Sequence, residues 1–286
     1  MEEGRKKSGG MAAVAIKFWL IRLLKGVFIG SGFILPGVSG GALAAVFGLY
    51  ERMIMFLADM KKDFKANVIF FLPVGIGAIG GVFIFSVFLS YFFAAAEVQL
   101  TWFFIGCIIG TLPALWVQSA EHAERKPIHI VVLIISLAAA VLFLRFVGVA
   151  AGGGVPLNIF TWAMAGGLIA LGAIVPGLSA SNLLLFLHMY APMTNGIARM
   201  DFFVVIPIGI GAVVTVLAFS RLMALIFDRA HGLLFHAIIG FVLASTLLII
   251  PLDYNYASVD GLLCFGTAIL GILLAQWMCR LEERYQ

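Results

Sequence analysis

The sequence predicts an all-α polytopic membrane protein with two inverted-topology repeats, each one re-entrant helical hairpin plus three transmembrane helices. Three observations carry this prediction. First, the chain is 63% hydrophobic and 11% charged, with mean hydropathy +1.13, whereas soluble domains carry about 25% charged residues. Second, two apolar runs are interrupted by the same pattern, Pro-Gly-hydrophobic-Ser, at 36–39 and 176–179. Third, the basic residues fall on one side of the membrane only if those two runs do not cross it. The apolar runs are continuous rather than alternating, which selects helices over a barrel.

The elements follow in order. Residues 1–10 are polar and expected to be disordered. Residues 11–24 are apolar but interrupted by Lys17 and Arg22, too short and charged to span and suited to a helix lying in the interface. No small-residue cleavage site follows, so a signal peptide is not expected. Apolar segments then occupy 26–50, 68–94, 102–119, 129–147, 160–190, 203–227, 233–250 and 261–279. Six read as ordinary spans; the first and fifth carry the Pro-Gly motifs. The expected organisation is a cytoplasmic tail and interfacial helix (1–24), a first repeat (25–150, hairpin 25–51) and a second repeat (151–286, hairpin 160–190).

Segment 26–50 is flanked by Arg5, Lys6, Lys7, Lys17, Arg22 and Lys25 on one side and Arg52, Lys61, Lys62 and Lys65 on the other. The positive-inside rule places both flanks in the cytoplasm, so the segment enters, turns at 36–41 and returns. If 160–190 does the same from outside, all of the 18 Lys and Arg residues except Arg145 and Arg199 lie on or near the cytoplasmic side. Both termini are then cytoplasmic. The halves also match in sequence. Pro36, Gly37, Ser39 and Tyr50 correspond to Pro176, Gly177, Ser179 and Tyr190, and FLPVGIG (71–77) corresponds to VIPIGIG (205–211). One hairpin plus three spans is an odd number of crossings, so the second half is inverted and the two tips meet near the midplane. Broken helices in matching places mark transporter binding sites.

At each tip Pro stops the helical ladder, Gly permits a sharp turn, and Ser39 or Ser179 can cap the free N–H groups of the following half-helix. Helix N-termini favour anions. The tips would thus offer a phosphate the hydroxyls of Ser39, Ser179 and Ser181, the amide of Asn182 and backbone N–H groups, with Gly40, Gly41 and Ala180 allowing close approach. The alternative is a packing motif of small residues. Lys25, Glu51 and Arg52 form either a cytoplasmic vestibule for an anionic headgroup or topology anchors. Arg221 either snorkels or serves a phosphate, and Arg145 is a candidate on the outer side. His188, at the position matching Gly48, is expected to sit deep, as a proton-coupling group or as a satisfied buried histidine. Cys107, Cys264 and Cys279 read as apolar filler. No P-loop and no metal-ligand spacing occurs, so no cofactor, metal or nucleic acid is expected.

The stretches GSGFILPGVSGGALAAVFGLYERMI (30–54) and ALGAIVPGLSASNLLLFLHMY (170–190) resemble the bacterial polyprenyl-phosphate transporter family of the PopT type. The resemblance covers nearly the whole chain. It implies a translocase of the bacterial cytoplasmic membrane that returns undecaprenyl phosphate to the cytoplasmic leaflet for peptidoglycan and other envelope polymers. The second motif departs from the family's usual Pro-Gly-x-Ser-Gly-Ser at Ala180. Two other classes stand beside it. A membrane phosphatase acting on undecaprenyl pyrophosphate would need an Arg where this chain has Gly40 or Ala180, and a small-anion transporter would bind soluble phosphate instead. The sequence leaves the energy source open and leaves room for a homo-oligomer.

Overall fold

A helix of 55 residues is about 82 Å long, far more than the roughly 30 Å of a bilayer core requires. Such a helix dominates the first half of this chain. The computed structural model describes residues 2–35, 40–49, 52–53, 55–56, 63–120, 126–150, 155–174 and 180–285. Its principal elements are α1 (Glu2–Ile34), α2 (Gly40–Val46), α3 (Phe64–Gln118), α4 (Pro127–Ala150), α5 (Ile159–Ile174), α6 (Ala180–Phe186), α7 (Tyr190–Ala198), α8 (Phe202–Leu248) and α9 (Val259–Tyr285). No strand occurs among the described residues. Among the described residues, five stretches are long and apolar enough to cross a membrane: Phe64–Gln118, Pro127–Phe146, Phe202–Phe219, Arg229–Leu248 and Val259–Leu281. The chain is a multi-pass helical membrane protein.

The long helix α3 is two helices joined at Ala96, where φ is −155° and ψ 55°. Phe93 and Phe104 have ring centroids 6.0 Å apart, whereas a straight helix would separate their backbones by about 16 Å. The chain therefore doubles back at Ala96. Helix α8 has the matching break at Ala230, with φ −141° and ψ 33°. Where the sequence suggested a loop at 95–101, the reversal is made by one non-helical residue.

Glycine sets the packing between the long helices. A Cβ on Gly26 would lie 2.1 Å from the Val74 carbonyl oxygen, one on Gly77 would lie 2.0 Å from that of Leu23, and one on Gly81 would lie 2.1 Å from that of Val27. The backbones of α1 and the first part of α3 thus touch, as small-residue stripes permit in membranes. Gly30 faces Ala78 as Gly26 faces Val74, so the two helices run parallel. The same contacts recur between α5 and the first part of α8. Gly166 faces Ile208, Gly211 faces Ala163, and Gly167 meets Thr215. Helix α9 lies on the second part of α3 through Gly106 and Gly271, and α4 on the second part of α8 through Gly240.

Helices α5 and α8 start on side-chain caps. Asn158 Oδ1 accepts from the N–H groups of Phe160 (2.9 Å) and Thr161 (3.1 Å), and Asp201 accepts from Phe203 N–H at 2.9 Å. At the α3 reversal, Trp102 Nε1 donates to the Tyr256 hydroxyl at 3.2 Å, beside Tyr254. That grouping of Trp and Tyr suits a membrane–water interface. Large apolar side chains such as Ile79, Phe203 and Leu217 project outward from the spans, as a lipid-facing surface requires.

Two expectations change. Residues 2–34 form one helix, so the segment expected to be disordered and the interfacial segment run without a break into the first hairpin arm. The stretch 191–202, expected as a loop, is largely α7, whose Met193 and Ile197, four residues apart, are buried in the main core.

Candidate functional site

The last carbonyls of a helix have no partner within it, and a proline two residues beyond Ile34 prevents continuation. The Ile34 carbonyl finds its donor in another hairpin: the Tyr190 hydroxyl. Tyr190 is 1% exposed and packs between Phe93 (5.5 Å) and Phe104 (5.6 Å). Ile34, Leu89, Phe93, Phe104, Leu184 and Tyr190 belong to one buried cluster. The flank of the first tip and the exit of the second hairpin therefore meet in the same core.

The short helices of the two hairpins end alike. After α2, Phe47 N–H donates to the Leu43 carbonyl (3.0 Å) and Leu49 N–H to that of Ala44 (2.8 Å), with Gly48 at φ 66°. After α6, Leu187 donates to Leu183 (2.9 Å) and Met189 to Leu184 (2.8 Å), with His188 at φ 56°. Each is a helix stop with a left-handed residue closing six-to-one bonds. His188 was expected to sit deep. It is exposed, in a turn where its own φ is 56°. Among the described residues the buried histidines are His129 and His236, stacked at 5.0 Å elsewhere in the fold.

The tip residues Pro36, Gly37, Ser39, Pro176, Gly177 and Ser179, together with Glu51, lie outside the described residues. Gly41, Asn182 and Arg221 are placed by backbone only, in α2, α6 and α8. A Cβ on Gly40 would lie 3.2 Å from the Ile29 carbonyl oxygen and 3.3 Å from the Phe33 ring, so α2 begins close against α1. Ser181 is buried at the start of α6. At seven residues each, α2 and α6 carry only two turns of dipole, which shifts weight from the helix N-termini to hydroxyls and side-chain cations.

The cations divide. Lys25 Nζ donates to the Phe47 carbonyl at 2.7 Å, joining α1 to the end of α2. Arg52 Nε donates to Asn67 Oδ1 at 3.1 Å, and its guanidinium carbon lies 3.6 Å from the centroid of the Phe70 ring. Each is held by its own contacts at the base of the first hairpin. Arg145 is exposed on α4 and is not brought to them.

One residue escaped the sequence reading. Ser86 on α3 is 0% exposed and its Oγ has no hydrogen-bond partner among the described residues. An unmade hydrogen bond in a buried site is costly. Its neighbours Val82, Phe85 and Leu89 pack into the cluster that holds Ile34 and Tyr190. The available signal was the Phe-Ser pair at 85–86, repeated at 219–220 with the spacing that relates FLPVGIG to VIPIGIG. Among the described residues, no group of His, Cys, Asp and Glu is arranged to hold a metal.

Comparison with known proteins follows the same lines. Residues 29–261 match the family described as undecaprenyl phosphate translocase-like. A polyprenyl-phosphate transporter of Vibrio cholerae is 24% identical over 245 residues, covering 79% of this chain and 76% of that protein. A polyprenyl-phosphate transporter of Staphylococcus aureus is 24% identical over 247 residues, covering 82% and 87%. No solved structure matches.

Proposed function

Since the chain belongs to the undecaprenyl phosphate translocase-like family, we propose that it carries undecaprenyl phosphate from the outer to the cytoplasmic leaflet of the bacterial cytoplasmic membrane, so that the carrier is reused in peptidoglycan and other envelope polymers. In this reading 25–51 and 160–190 are re-entrant hairpins of opposite orientation, both termini are cytoplasmic, and α3 and α8 each cross twice. The parallel pairing of α1 with α3 supports it: Gly26 faces Val74 and Gly30 faces Ala78, so α3 starts on the side where α1 began. The pairing of α5 with α8 repeats this in the second half.

The observation that carries the proposal is the bond from the Tyr190 hydroxyl to the Ile34 carbonyl, which holds the second hairpin against the flank of the first tip. A lipid phosphate needs a polar path for its headgroup alone, while the prenyl chain stays in lipid. Charge in hydrocarbon is expensive. Hydroxyls of Ser39, Ser179 and Ser181, the Asn182 amide and free N–H groups at the opposed tips lower that cost. Arg52 and Lys25 receive the phosphate at the cytoplasmic mouth, Arg221 and Arg145 are further stations, and Glu51 and His188 complete the candidate set.

The test is reconstitution. Liposomes carrying the purified protein should equilibrate undecaprenyl phosphate between leaflets faster than empty liposomes, without releasing inorganic phosphate. The Ser39→Ala/Ser179→Ala double variant should insert normally and lose most of this activity. Phosphate release would instead indicate a phosphatase.

A further inference from the structure

The Phe70 ring on α3 is occupied twice. The Arg22 guanidinium carbon lies 4.0 Å from its centroid and that of Arg52 lies 3.6 Å from it. Two guanidinium groups cannot share one face of a phenyl ring at those distances, so they take opposite faces. Lys25 stands one helical turn beyond Arg22, its Nζ on the Phe47 carbonyl. All three cations are half-buried, and none has a carboxylate partner among the described residues. A cation on each face of one ring, with a third beside them, repel one another in a partly desolvated setting. Cation–π contact fixes their positions but does not neutralise their charge, and no carboxylate among the described residues pairs with them.

We propose that Arg22 and Arg52, clamped about Phe70 beside Lys25, form a docking site for the phosphate monoester headgroup of a polyprenyl lipid at the mouth of the first hairpin, with Arg22 touching the substrate. The proposal rests on the translocase reading for the identity of the lipid. A phosphate monoester supplies negative charge that the three cations can share, and guanidinium forks match its oxygens. Stacking on Phe70 holds both forks in place before the ligand arrives, so less side-chain freedom is lost on binding.

Binding rather than transport tests the site. Full-length protein in lipid nanodiscs is titrated with undecaprenyl phosphate. Arg22→Gln and Arg52→Gln should each weaken binding about tenfold, as loss of a charge-assisted contact does. Phe70→Leu, which keeps both charges, should weaken it several-fold. Lys65→Gln, an exposed cation at the start of α3, should leave it unchanged. Wild-type affinity in both glutamine variants overturns the clamp, as does an equal loss in Lys65→Gln, which would indicate diffuse surface charge. Farnesyl phosphate should compete and inorganic phosphate should not. Equal competition by inorganic phosphate overturns the lipid assignment. Should the wild-type protein bind no polyprenyl phosphate at all, the translocase reading itself falls, whatever the variants do.

Discussion

The two hairpins share a skeleton and differ in charge. The Gly26–Val74 contact of the first corresponds to Gly166–Ile208 of the second, the Gly77–Leu23 contact to Gly211–Ala163, and the turn at Gly48 to that at His188. At the base of the first hairpin stand Arg22, Lys25, Arg52 and Phe70. The matching positions of the second are Trp162, Ala165, Pro192 and Val204, of which Trp162, Ala165 and Val204 are buried in the main core. What both hairpins keep is backbone geometry. What only one has is cationic, so the skeleton does not need those charges. The difference locates a polar end on the first hairpin and a packed apolar end on the second, as expected of a carrier that receives its cargo differently at its two faces.

The largest expected effect strikes the shared skeleton. Gly26→Val and Gly166→Val each place a side chain about 2 Å from a facing carbonyl, and both should abolish monodisperse, membrane-inserted protein in size-exclusion profiles. Tolerance of one and not the other would break the equivalence of the halves. Next comes charge on the wrong hairpin. Ala165 is 0% exposed, so Ala165→Lys should cost about 3–5 kcal/mol as an unpaired buried cation, whereas Lys25→Ala loses one hydrogen bond, worth about 1–3 kcal/mol. Melting in detergent ranks the two, and the reverse order would contradict the comparison. Tyr190→Phe removes the hydroxyl that donates to the buried Ile34 carbonyl and should cost about 1–3 kcal/mol; an unchanged melting temperature would remove that bond as the link between hairpins. The smallest effects are conformational. Gly48→Ala should cost about 1–2 kcal/mol at its left-handed turn, and His188→Gly should gain about 1 kcal/mol. Unchanged pH dependence of transport in His188→Gly would assign His188 to the turn alone.

Sequence legibility followed the range of the interaction involved. The spans were visible because hydropathy is a local property: residues 129–147 and 261–279 were read close to the limits of α4 and α9. The motif breaks were visible because Pro and Gly act on their own backbone. The reversals at Ala96 and Ala230 were not, since alanine favours helix and only packing across the fold imposes the turn. Helix α7 was hidden by Pro192 and Gly196, although Pro192 sits in its first turn, where no intrahelical N–H bond is lost. Lys25 and Arg52 were found as cations near a motif. Arg22 was read as an interfacial residue, because its approach to Phe70 depends on the parallel register of α1 and α3, which no local pattern encodes.

In the proposed topology the hairpins are opposed, the first reached from the cytoplasm and the second from outside. Gly48 and His188 occupy matching, exposed turns, so cysteines placed there in a chain lacking Cys107, Cys264 and Cys279 report on it directly. A membrane-impermeant maleimide applied to intact cells should label His188→Cys and spare Gly48→Cys, and inside-out vesicles should give the reverse. Labelling of both positions from the same side would contradict the account.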